Sequence, residues 1–84
     1  MPEISRFYGI VAKMYLIGRD HNPPHVHFIY NDFMSSINLR DLTIMEGDLP
    51  SKAQAMAMEW ASMYQKELLE MWDTQKFRKL PPLE

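Results

Sequence analysis

All three histidines of the chain fall within seven residues, in the stretch DHNPPHVHF at positions 20–28. A neutral imidazole accepts a proton and an imidazolium donates one near neutral pH, because the unperturbed pKa of roughly 6.5 lies close to it. On a strand, His25 and His27 stand two residues apart and so on one side, with Cβ atoms roughly 6.5–7 Å from each other. Such a pair can act as base and acid on RNA. One ring would take the proton of an internal 2'-hydroxyl, and Arg19, Lys13 or Arg40 would stabilise the phosphate charge. His21, His25, His27 and Arg19 are therefore the candidate catalytic set for a metal-independent ribonuclease. The same stretch allows a second chemistry, in which His25 and His27 share a metal with His21 or Asp20 as third ligand and leave a position open for water. A third reading is structural: Asp20 and His21 shape a turn, while His25 and His27 make local hydrogen bonds or cross-strand contacts.

Other chemistries are excluded by what the sequence lacks. Without cysteine there is no disulfide framework, no thiolate metal site and no thiol nucleophile, which fits a reducing compartment and makes the cytoplasm the expected location. No phosphate-binding glycine loop, dinucleotide fingerprint, serine elbow or zinc-protease signature occurs, so no cofactor is implied. No apolar run reaches the roughly 20 residues of a membrane span, and MPEISRFYG lacks a basic start followed by an apolar stretch. The formal charge of −2 argues against broad nonspecific binding to nucleic acid. The first half is balanced, however, with Arg6, Lys13, Arg19 and Arg40 against Glu3, Asp20, Asp32 and Asp41, so a local basic face is compatible with the composition.

The elements that must position the histidines follow from hydrophobic period. With 84 residues, 46% of them hydrophobic, the chain is expected to form one domain over 1–84. FYGIVAKMYLI at 7–17 alternates, with Tyr8, Ile10, Ala12, Met14 and Leu16 inward and Phe7, Val11, Lys13, Tyr15 and Ile17 outward. HVHFIY resumes the alternation and turns Val26, Phe28 and Tyr30 inward, leaving His25, His27 and Ile29 on the other face. Asn31-Asp32 suits a two-residue hairpin turn. A third strand, Phe33–Leu39, and a short one over Leu42–Glu46 complete an antiparallel meander of three to four strands over 7–46.

From Pro50 to Lys76 the period changes, and Ala53, Ala57, Trp60, Tyr64, Leu68 and Met71 recur as one helical face. Pro50 as a first helical residue and SKAQ as a capping box mark its start, with Ser51 capping and Gln54 reaching back. Pro81 and Pro82 stop it, leaving a tail over 77–84. The expected fold is thus α+β, with one long C-terminal helix on one face of the sheet. The other face stays uncovered and carries Phe7, Val11, Lys13, Tyr15, Ile17, His25, His27, Ile29, Met34, Ser36, Asn38 and Arg40. That mixture is more apolar than exposure requires, so a homodimer or a second protein is expected to cover it.

As a set, MPEISRFYGI, DHNPPHVH, EGDLP and AMEWA followed by ELLEMW resemble the bacterial family known as domain of unknown function 4160, in the family's order over residues 1–75. Asp20, His21, Asn22, Pro23, Pro24, His25 and His27 match its most distinctive stretch residue for residue. The resemblance implies a small stand-alone bacterial protein encoded beside another short protein, in a pair of toxin–antitoxin type. It implies no established chemistry. Two departures, Asn31 where relatives commonly have glycine and the Met-rich third strand and helix, touch folding more than the site. Three functions therefore stand side by side: an RNA-handling component of a two-gene module, a noncatalytic antitoxin-like interaction module, and a metal-binding protein using His21, His25 and His27.

Overall fold

The computed structural model describes residues 3–14 and 23–84. Five strands form one antiparallel sheet in chain order: β1 (Glu3–Phe7), β2 (Ile10–Lys13), β3 (His25–Tyr30), β4 (Phe33–Asn38) and β5 (Ile44–Asp48). Two helices follow, α1 (Ser51–Met63) and α2 (Gln65–Thr74). The α+β class is the one that the change of period from 2 to 3.6 implies.

The strand missing from the sequence reading is β1. Phe7 to Ile17 reads as one alternating run, but the chain reverses at Tyr8 and Gly9, whose φ values are 50° and 80°, so that Phe7 pairs with Ile10. Two successive positive φ angles belong to the tight hairpin turn whose twist matches that of the flanking strands. The reversal corrects two assignments. Tyr8, expected in the core, is 59% exposed, and Phe7, expected outside, is buried with its ring 5.5 Å from that of Trp60. Ile10, Ala12 and Met14 do point inward and are fully buried.

The turn at Asn31-Asp32 forms as expected, with Tyr30 opposite Phe33 and Asn31 at φ 54°. The next turn is longer. Leu42 takes φ 59° and donates its N–H to the Asn38 carbonyl at 2.7 Å, while the Asp41 carboxylate accepts from the Thr43 N–H and hydroxyl at 3.1 and 2.6 Å. This turn delays β5 by two residues relative to the expected Leu42–Glu46. The register against β4 slips once, between Ser36 paired to Glu46 and Ile37 paired to Ile44, so Met45 is the extra residue of a bulge.

The helices bury Ala53, Ala57, Trp60, Ala61, Leu68 and Met71 against Phe7, Ile10, Val26, Phe28 and Ile37 of the sheet. Trp60 meets Phe28 edge-on at 5.9 Å. Instead of one helix over 50–76 there are two, interrupted at Tyr64 (φ −114°, ψ 19°) and ended by Gln75 in the left-handed conformation. Neither proline nor glycine marks the break. It coincides with a tether, since the Gln65 side-chain amide donates to the Leu39 carbonyl at 2.7 Å and fastens the start of α2 to the exit of β4. At the start of α1 the expected capping box is replaced. Pro50 precedes the first helical residue Ser51, which provides no side-chain cap, and Gln54 reaches back to accept from the Leu49 N–H at 3.2 Å. Residues 77–84 are no loose appendage: Leu80 and Leu83 are buried, the Leu80 N–H donates to the Ile4 carbonyl at 2.9 Å, and the Trp60 indole donates to the Pro81 carbonyl at 2.8 Å.

Candidate functional site

β3 positions the histidines. Val26 and Phe28 turn into the core and are fully buried, which forces His25 and His27 onto the face away from the core. The register across the sheet then fixes their neighbours. Lys13, His27, Ser36 and Glu46 form one row across β2, β3, β4 and β5, and His25 stands opposite Asn38. A second row runs beside the first, apolar at Val11, Ile29 and Met34 on β2, β3 and β4 and ended by Arg6 on β1 and Asp48 on β5.

The two imidazoles touch, with ring centroids 4.9 Å apart and planes at 87°. His25 also lies 5.0 Å from the ring of Trp72 on α2. Its Nδ1 is 2.9 Å from the Pro23 carbonyl oxygen, which can only accept. Nδ1 therefore carries the hydrogen, and in the neutral ring Nε2 holds the lone pair that can take a proton or bind a metal. His27 is set apart by its surroundings: burial against the sheet, reinforced by the neighbouring charge of His25, lowers its pKa to about 4. The His27 ring is consequently neutral at pH 7, with one nitrogen unprotonated but less basic than that of an ordinary imidazole.

Of the four residues singled out in the sequence, His25 and His27 are brought together, while Arg19 and His21 lie outside the described residues, as do Asp20 and Asn22. Lys13 stands in register beside His27. Arg40 is exposed just past β4, at the end of the sheet where His25 pairs with Asn38. Among the described residues no group of three or more His, Cys, Asp or Glu is placed to hold a metal, and the three-histidine set depends on His21. Sequence reasoning missed Trp72 and the Pro23 carbonyl. Trp72 could have been flagged, because it falls one position past Met71 and off the helical stripe, where a large aromatic needs something else to pack on.

Among the described residues no helix is long and apolar enough to cross a membrane. No curated protein and no solved structure shows significant similarity to the chain. The family described as "Domain of unknown function (DUF4160)" matches residues 9–73, from the glycine of the first hairpin to the penultimate residue of α2, and so takes in both histidines and Trp72. With most of its length matched, the chain belongs to the DUF4160 family.

Proposed function

We propose that this is a small cytoplasmic bacterial protein of a two-gene, toxin–antitoxin-like module, in which His25 and His27 handle RNA. The observation that carries the reading is the contact between two imidazoles in unlike surroundings, one of them held neutral, with a lysine in register beside it. In RNA cleavage the 2'-hydroxyl attacks its own phosphorus, the bond to the 5'-oxygen breaks, and a cyclic phosphate and a free 5'-hydroxyl result. His27 would take the 2'-hydroxyl proton, protonated His25 would supply one to the departing oxygen, and Lys13 would offset charge on the phosphate. The test is cleavage of a single-stranded RNA by the purified protein, with His25→Gln and His27→Gln as variants. Either substitution should reduce the rate by roughly 100-fold or more, the usual scale for one acid or base. If zinc restores activity that a chelator has removed, the metal reading with His21 takes the lead.

A second reading is favoured by the apolar row. Val11 and Ile29 are half-buried and Met34 is exposed beside the histidines, a surface suited to a noncatalytic, antitoxin-like partner or to a second copy. Met34→Glu would then abolish co-sedimentation with the small protein encoded by the neighbouring gene, in a preparation that cleaves no RNA.

A further inference from the structure

The two edges of the sheet are treated differently. At β1 the chain covers its own edge, since residues 77–84 fold back and Leu80 pairs with Ile4. At β5, among the described residues, no backbone group pairs with the outer side, and all five residues are exposed. The side chains of β5 are sorted by face. Ile44 lies across from the fully buried Ile37, on the face that carries the core, yet it is 46% exposed, because the core ends at β4. Glu46 and Asp48 lie across from Ser36 and Met34 on the opposite face, and no lysine or arginine occurs between residues 41 and 51.

We infer that β5 accepts a sixth strand from another protein: an extended segment whose alternate residues are apolar and basic. The apolar set covers Ile44 and continues the core, while the basic set meets Glu46 and Asp48, and the backbone supplies the ladder of hydrogen bonds. A second copy fits less well. In antiparallel pairing of β5 with itself the sheet stays continuous, so both copies present Glu46 and Asp48 on one face, and like charges across strands repel. The bulge at Met45 and the glycine at 47 shorten the regular part of the edge, so a short segment suffices. This inference is independent of the histidine pair, and RNA cleavage neither supports nor removes it.

The experiment uses the full chain and two labelled seven-residue peptides, one alternating Lys with Val and the other Glu with Val, followed by fluorescence anisotropy and by amide exchange. The Lys peptide should bind at least about tenfold more tightly than the Glu peptide at low salt, with the preference shrinking as salt screens it. Binding should slow exchange within residues 44–48. Replacing Glu46→Lys and Asp48→Lys together should reverse the preference, and the isosteric pair Glu46→Gln and Asp48→Asn should remove it while leaving the fold intact by circular dichroism. The inference is overturned if neither peptide binds, if both bind equally, or if protection falls outside β5. A concentration-dependent dimer with protected β5 amides would also overturn it, by assigning the edge to a second copy.

Discussion

His27 is the residue on which most of the site's behaviour rests. In the unfolded chain its imidazole titrates near 6.5, and in the fold near 4. Between these values the unfolded chain holds a proton that the folded one does not, so stability rises with pH through that window. The stabilising effect is fully present above pH 6.5 and is lost progressively as the pH falls towards 4. One pKa unit is worth roughly 1.4 kcal/mol, so the loss is at most about 3.5 kcal/mol, reduced by the solvent that still reaches the ring. Glu3, whose carboxyl is held low by its bond to Arg6 at 2.8 Å, adds its own loss only below the usual carboxylate range. Urea denaturation at pH 7, 5.5 and 4.5 should therefore show a steeper decline for the natural protein than for His27→Gln; equal slopes would mean that His27 is not held neutral. The same shift moves the acid limb of any cleavage profile from near 6.5 to near 4, since a base works only while unprotonated. The pairing of the histidines was legible in the sequence because a spacing of two on a strand means one face. The shift of His27 was not, since it comes from burial and from the neighbouring charge of His25.

At the scale of elements, the inward sets of β2, β3 and the helices could be read from period alone, and the hairpin at Asn31 from its turn residues. The first hairpin could not. A two-residue turn makes residues 7 and 10 face each other although their parities differ, so alternation followed through Tyr8 and Gly9 assigns everything before the turn to the wrong face. The break at Tyr64 was equally hidden, because no local helix breaker marks it and the tether beside it is to the distant Leu39 carbonyl. β5 shows the opposite case, a local residue that fixes tertiary geometry. Gly47 has φ 66°, and a Cβ there would come within 2.1 Å of the Met34 carbonyl oxygen. Gly47→Ala should therefore cost roughly 2 kcal/mol or more, from the left-handed backbone and the displaced neighbour together. For a domain this small, that corresponds to a fall of about 8–16 °C in Tm. Calorimetry would check it, with Gly9→Ala as the contrast. The nearest atom to a Cβ at Gly9 is on the Tyr30 ring at 3.3 Å, and a side chain can give way where a backbone carbonyl cannot.

The whole molecule depends on a closure that composition conceals. A charged, proline-containing end such as RKLPPLE reads as solvated chain, because two prolines forbid a helix and the leucines show no period. Yet prolines leave an extended path open, and along that path Leu80 and Leu83 enter the same cluster as Trp60, Ile4 and Phe7. The Pro81 carbonyl takes the indole hydrogen of a tryptophan that is otherwise sealed among Phe7, Phe28 and Tyr64. Trp60 is thus held by sheet, helix and C-terminal segment at once. Trp60→Ala should cost roughly 3–5 kcal/mol by cavity formation, a large share of the 5–15 kcal/mol that keeps an ordinary domain folded. Ending the chain after Lys76 should be nearly as damaging, although it removes no strand or helix. It exposes Ile4 and Phe7, strands the Trp60 N–H and uncovers the β1 edge, for an expected loss of roughly 3–5 kcal/mol. Thermal unfolding of the truncated chain against Trp60→Phe, which keeps an aromatic ring in the core but is smaller than the indole and deletes the bond to Pro81, separates these contributions. Closure by the C-terminal segment predicts that truncation is far more destabilising than Trp60→Phe, whose loss should stay near 1–2 kcal/mol; a truncated chain that melts with the full-length protein would place the core's boundary at α2 instead.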